Sequence, residues 1–314
     1  MKARRHLISA VALLGLAGLS ACSTDSAAAG NTDKFDVVAS FYPMAFLAEQ
    51  IGGDHVSVTS LTEPGQEPHD LEISAKQTAQ LQESDAALYL KGLQPSVDDA
   101  VAQSDIKTKI DASSLTELEK HGNEVGGHAA EHDDHADEEL EGLDPHIWLD
   151  PVRYSEVAEG VGKALEKADP DHAADYKANT AALVKKLGAL NTKFETGLKN
   201  TDTKVFITTH AAFGYLAERY GLTEEAINGL DPESEPSADR VKDLEKMAKA
   251  DGVTTVFYET LVSDKTAKTI ASDAGLKTDV LDPIEGITEK SRGKDYFAVQ
   301  EANLKALQAA LGAK

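Results

Sequence analysis

Three histidines and one aspartate stand at four widely separated turns of this chain, in runs that read Glu67-Pro68-His69-Asp70, Asp144-Pro145-His146-Ile147-Trp148-Leu149-Asp150-Pro151, Thr208-Thr209-His210-Ala211-Ala212-Phe213 and Leu281-Asp282-Pro283. Three imidazoles and one carboxylate make a complete tetrahedral set for a borderline divalent ion, zinc first among candidates. A second reservoir, His121, His128, His132 and His135, lies in an acidic stretch between the first two runs. Histidines alternating with Asp and Glu in a flexible segment capture zinc loosely, because the segment loses conformational entropy when it chelates. His6, His55 and His172 read as ordinary residues; the first is in a leader and the others stand among charged neighbours without evident partners. Pro145, Pro151 and Trp148 read as the turns and core that hold a ligand in place.

The elements that position these turns follow from periodicity. Strands are predicted at 35–40, 56–61 and 86–90, with helices at 44–51 and 74–83 between them. Alternation of this kind implies parallel β-α units. Residues 120–142 carry Gly, His, Asp and Glu without periodic apolar residues and read as a weakly ordered loop. Beyond Pro170, Leu183, Leu187, Leu190, Phe194 and Leu198 recur at helical intervals, which predicts one long helix. Strands at 204–208, 223–227, 254–258 and 277–281 then alternate with helices at 213–220, 238–250, 265–274 and 296–311. The fold class is α/β: two lobes, each with a parallel-rich sheet flanked by helices, joined by one long backbone helix. The expected divisions are a leader over 1–21, a tether over 22–34, an N-terminal lobe over 35–169, a connecting helix over 170–200 and a C-terminal lobe over 201–314. Every candidate ligand falls just after a strand or in a loop, where open α/β sheets bind their ligands.

The first residues bear on the compartment. Lys2, Arg4 and Arg5 precede an apolar stretch, 7–19, that is too short to remain in a bilayer. It ends in Leu19-Ser20-Ala21-Cys22, which resembles the lipobox of bacterial lipoproteins, cut before a cysteine that then carries lipid. Cys22 is the single cysteine of the chain, so no intrachain disulfide forms and no thiolate is left for the metal. The formal charge of −23 repels nucleic acid and anionic lipid and concentrates cations nearby.

Together these runs resemble the solute-binding lipoproteins of bacterial ABC importers for zinc and manganese. The likeness extends from Ser40-Phe41-Tyr42-Pro43 through the first two runs and Thr209-His210-Ala211-Ala212-Phe213-Gly214-Tyr215 to Leu281-Asp282-Pro283-Ile284. The second run is the most specific. The resemblance implies His69 and His146 from one lobe, His210 and Asp282 from the other, and a cleft that closes on the ion; in some members water fills the fourth position. Glu259, at a strand end, is the reserve for that position, although a carboxylate placed there more often caps the helix that follows. It implies Zn2+ as cargo, a membrane permease as partner, a lipid anchor at Cys22 on the extracytoplasmic face, and a monomer that binds no nucleic acid. Histidine-rich loops occur in zinc-type rather than manganese-type members.

Alternatives are a manganese carrier, an adhesin on the same scaffold and a secreted zinc enzyme. No Gly-x-Ser-x-Gly, phosphate-binding glycine loop or His-Glu-x-x-His supports catalysis. A hydrolase would need three ligands, a water and a poised base in an open cleft, whereas four protein ligands mean binding.

Overall fold

Alternating strand and helix sequences build two β-sheets, here seen in a computed structural model that describes residues 34–122, 124–125 (backbone only) and 142–314. The leader, Cys22, His6, and three of the four loop histidines (His128, His132 and His135) lie outside the described residues.

The N-terminal sheet contains β1 (Phe35–Ala39), β2 (Val56–Ser60), β3 (Ala86–Tyr89) and β4 (Thr108–Asp111) in the order β2-β1-β3-β4, all parallel. Helices α1 (Tyr42–Gly52), α2 (Ala75–Glu83) and α3 (Pro95–Gln103) connect them. Ser74 and Gln77 close a reciprocal capping box at the start of α2, satisfying amides that the first turn leaves free. α3 and β4 are absent from the sequence expectation, although Pro95 at the first turn is a usable start signal.

The chain then runs through a 3-10 turn at Ile147–Leu149 into α4 (Pro151–Ala168) and, past a second such turn at Pro170–His172, into α5 (Ala173–Leu198). All five periodic residues of α5 are buried. The C-terminal sheet has β5 (Glu124–Val125), β6 (Val205–Thr208), β7 (Thr223–Ala226), β8 (Thr255–Tyr258) and β9 (Lys277–Val280) in the order β5-β7-β6-β8-β9. The two-residue β5 is antiparallel to β7, within the stretch read from sequence as a loop; the other strands are parallel. Helices α6 (Gly214–Tyr220), α7 (Ala238–Ala250), α8 (Lys265–Ala274) and α9 (Tyr296–Leu311) flank this sheet.

One apolar core runs through both lobes and along α5, from Val37 and Leu47 through Leu187 and Phe194 to Phe206 and Leu307. Trp148 links the two lobes within it. Its ring meets Phe41 edge-on at 4.9 Å, its Nε1–H donates to Pro283 O at 2.7 Å, and its carbonyl accepts from Tyr296 Oη at 2.6 Å. The indole thus buries its apolar body in the first lobe and satisfies its polar edge in the second. Among the described residues, no helix is long and apolar enough to cross a membrane.

Candidate metal centre

Each of the three histidines sits in a loop or turn outside the regular elements. His69 lies in the turn that follows β2. His146 caps the 3-10 turn before α4, and His210 comes two residues after β6. The fold brings all three together, and the carboxylate that joins them is Glu285: the donor atoms of His69, His146, His210 and Glu285 all lie within 4.8 Å of one another. Glu285 Oε1 is 3.3 Å from His69 Nε2, 3.6 Å from His146 Nε2 and 3.7 Å from His210 Nε2, and the last two nitrogens are 3.4 Å apart. Bonds of about 2.0–2.1 Å around a tetrahedral zinc separate neighbouring ligand atoms by about 3.3 Å. The cluster therefore has the dimensions of a filled zinc shell.

The expected fourth ligand, Asp282, does not belong to this cluster. Its Oδ1 accepts from Ile284 N at 2.8 Å and its Oδ2 from Thr260 Oγ1 at 3.2 Å, while Asn303 bonds its backbone N–H and C=O. Asp282 is consumed in shaping the turn. Burial lifts its carboxyl to about 6 against the opposing bond from Ile284 N–H. Pro283 adds no N–H, and Ile284 takes φ 59°, the only positive φ of a non-glycine residue among those described. For a β-branched residue that is a genuine outlier, of the kind that accumulates at functional sites. The reversal aims the next residue, Glu285, at the histidines. An acidic residue just past a turn-forming Asp-Pro was the available signal.

Glu259, the reserve, is also outside the cluster, and it does not cap the following helix. Its Oε1 accepts from His210 Nδ1 at 2.9 Å and from Thr209 Oγ1 at 2.6 Å. Asp144 does the same for His146, taking the Nδ1 hydrogen at 2.7 Å and the backbone N–H at 2.9 Å. A carboxylate on Nδ1 fixes the ring and leaves Nε2 to face the metal, the usual support of a ligating histidine. Neither partner was assigned from the sequence. Asp144 had only its place two residues before His146 to mark it.

These contacts set the charge of the cleft. Burial opposes a proton on His146, but Asp144 and then Glu285 raise it to about 10. His210 moves upward for the same reasons, with Glu259 as the main opposing charge to burial. Glu285 is pulled down despite complete burial by the imidazoles of His146 and His69. Glu67 lies beside the centre with Oε1 accepting from His69 N at 2.8 Å; burial and the charge of Glu285 push it up to about 8. Glu285 Oε2 is buried with no hydrogen-bond partner among the described residues, a demand that a cation in the cluster would meet.

The other described histidines differ. His55 and His172 do have partners: their rings stack at 4.1 Å, and they bond Asp175 at 2.9 Å and Asp169 at 2.7 Å, away from any ligand group. His121 is held by Asp144 Oδ2 at 2.7 Å.

Comparison with known proteins agrees with this geometry. The pattern of the periplasmic zinc-uptake complex component A family, ZnuA, matches residues 37–310. The chain belongs to this family. It is 34% identical over 316 residues to the high-affinity zinc uptake system protein ZnuA of Bacillus subtilis (strain 168), an alignment that takes in 95% of this chain and 97% of that protein. It is 38% identical over 293 residues to the zinc-binding protein AdcA of Streptococcus pyogenes serotype M6, and there 88% of this chain spans 56% of the relative, about half its length. The Zn(II)-bound ZnuA-like domain of Streptococcus pneumoniae AdcA superposes with a TM-score of 0.73 at 35% identity, covering 88% of this chain and 99% of that one. Like other members of the ZnuA family, the chain has two α/β lobes joined by a long backbone helix.

Proposed function

We propose that this chain is the extracytoplasmic solute-binding component of a zinc ABC importer. It takes up Zn2+ between its lobes through His69, His146, His210 and Glu285 and passes the ion to a membrane permease. The observation that carries this reading is that four of the six donor separations, at 3.3–3.7 Å, match the edges of a four-coordinate zinc, and all six lie within 4.8 Å. Two of the imidazoles have a carboxylate on Nδ1, so the donors stand in register before the ion arrives. Family membership supports the same cargo, since the B. subtilis relative carries the name of a high-affinity zinc uptake protein.

Binding, not hydrolysis, is the chemistry. Four protein ligands leave no open position at which zinc could ionise a water or polarise a carbonyl. Manganese is served less well, because it favours oxygen ligands in octahedral surroundings and this set is rich in imidazole. Ligands from both halves of the chain make release mechanical, since a small displacement of one lobe by the permease separates His69 and His146 from His210 and Glu285. The lipobox at Cys22 supports a lipid anchor that holds the monomeric body at the extracytoplasmic face of the cell membrane, and His121, His128, His132 and His135 supply loose capture around it.

The test is a zinc titration of the purified protein together with growth of bacteria under chelation. One tight zinc equivalent should be lost in His146→Ala, and cells carrying that allele should grow poorly until zinc is restored. Unimpaired growth, or rescue by manganese alone, would replace zinc import with a manganese carrier or an adhesin.

A further inference from the structure

Outside the cleft, a second group of metal-seeking side chains meets where the histidine-bearing stretch leaves the N-terminal lobe. Glu119, His121 and Glu218 each offer a ligand atom within 4.8 Å of the others. The imidazole is built into the fold. Its side chain is 7% exposed, and its Nδ1 lies 2.7 Å from Asp144 Oδ2, a carboxylate of zero exposure. It stacks edge-on against Tyr215 with centroids 4.6 Å apart. Tyr215 Oη in turn donates to Asp144 O at 2.7 Å and accepts from Glu119 N at 2.9 Å. Asp144 N donates to Glu119 O at 2.8 Å, so both ends of the stretch are pinned to α6.

The packing leaves no spare room on the Nδ1 side. A Cβ at Gly214 would stand 2.5 Å from His121 Nδ1 and 3.0 Å from Asp144 Oδ2. With Nδ1 spent on Asp144, the proton-free atom of a neutral His121 is Nε2. That atom makes no hydrogen bond among the described residues and faces Glu218 Oε2 at 3.7 Å. Asp144 thus does for His121 through Oδ2 what it does for His146 through Oδ1, turning each Nε2 outward. Arg153 is ion-paired with Glu119 Oε1 and lies over the Tyr215 ring, which leaves the second Glu119 oxygen for a ligand.

We propose that Glu119, His121 and Glu218 form a second, open divalent-cation site, distinct from the cleft and joined to it by the shared carboxylate of Asp144. One imidazole and two carboxylates suit zinc better than magnesium or calcium. Three protein ligands on an accessible face leave positions for water, so this site fills and empties faster than the closed one. It rests on its own ligands and does not require the importer reading.

The experiment uses the full chain with His128, His132 and His135 changed to alanine, which removes the rest of the histidine-rich stretch and keeps the cleft and His121; His55 and His172, bonded to Asp175 and Asp169, are untouched in every variant. Zinc equilibrium dialysis should then give two equivalents, one tight and one weaker. Adding Glu218→Gln, at an exposed side chain, should weaken the second at least about tenfold and spare the first, with the Tm of the metal-free protein unchanged. Gly214→Ala, which crowds His121, should also lose the second equivalent. A single equivalent before Glu218→Gln, or two undiminished equivalents after it, would overturn the proposal. Loss of the tight equivalent with the weak one retained would instead count against the cleft assignment.

Discussion

The protonation of the cleft yields a quantitative expectation for zinc affinity. In the metal-free protein, burial disfavours a charged His146, but Asp144 at 2.7 Å and Glu285 at 3.6 Å overcome it and raise the imidazole to about 10. Zinc binds neutral imidazole, so that proton must leave as the ion enters. Each released proton changes affinity tenfold per pH unit, about 1.4 kcal/mol. An ordinary histidine, near 6.5, stops contributing above about pH 7.5. His146 keeps contributing, so the apparent Kd for zinc should fall about 100-fold between pH 7 and pH 9 from this group alone. The assay is competition against a chelator of known pH dependence, paired with calorimetry in buffers of different ionisation enthalpy to count the protons. The sign for stability is opposite. A folded-state pKa above the unfolded one stabilises the metal-free protein fully below about 6.5, and that contribution disappears as pH rises towards about 10. The Tm of the metal-free protein should therefore decline across the window in which zinc binds more tightly. Asp144→Asn should flatten both profiles. A Kd that is level from pH 7.5 to 9 with no proton release would refute the argument.

Glu285→Gln should lower zinc affinity by more than about 100-fold, while Asp282→Asn, which acts only through the turn, should cost about 10–100-fold; a larger loss from Asp282 in the same competition assay would reverse the fourth-ligand assignment. Glu259→Gln should cost about 10–100-fold, because His210 loses its carboxylate acceptor, and zinc stoichiometry should stay at one in the cleft. Leu187→Ala, at a fully buried position of α5, should destabilise the metal-free protein by about 2–5 kcal/mol in denaturant unfolding and leave zinc stoichiometry unchanged. His69 has the most exposed side chain of the three ligating imidazoles, 12% against 0% and 2%, so His69→Ala should raise the zinc off-rate in stopped-flow more than its effect on the fold would suggest.

Periodicity carried the fold a long way. The apolar intervals of α5 and the strand-helix alternation are properties of single elements, so they are visible in the chain itself. The three histidines were legible because their neighbours form turns, and a ligand at a strand end needs one. The fourth ligand was not, since Asp282 and Glu285 are both acidic and both follow β9. The difference between them lies in the φ of Ile284 and in bonds from Thr260 and Asn303, which are set by tertiary packing. Glu259 and Asp144 were missed as supports for a related reason. A carboxylate that orients a histidine has no fixed spacing from it: two residues for Asp144 and His146, 49 for Glu259 and His210. α3 and β4 are legible in principle, since Pro95 in the first turn of α3 is a helix start signal.

The charges around the centre explain how such a cleft can exist without its ion. Asp144, Glu259 and Glu285 are buried and face three imidazoles. Unpaired carboxylates at such depth would cost several kcal/mol each. Protons on the imidazoles are the cations that offset them in the metal-free state, which is why His146 and His210 move upward and Glu285 moves downward. Zinc then replaces imidazole protons with its own two charges, so the buried charge changes little while the coordination bonds form. The ion does not have to assemble the site against repulsion, and its departure does not leave an uncompensated cluster behind. A carrier must release what it binds, and exchange of zinc for protons provides both directions on one set of side chains. The lobe displacement that separates the ligands needs only to admit water and protons to Nε2, and the carboxylates on Nδ1 keep the rings in place for the next ion.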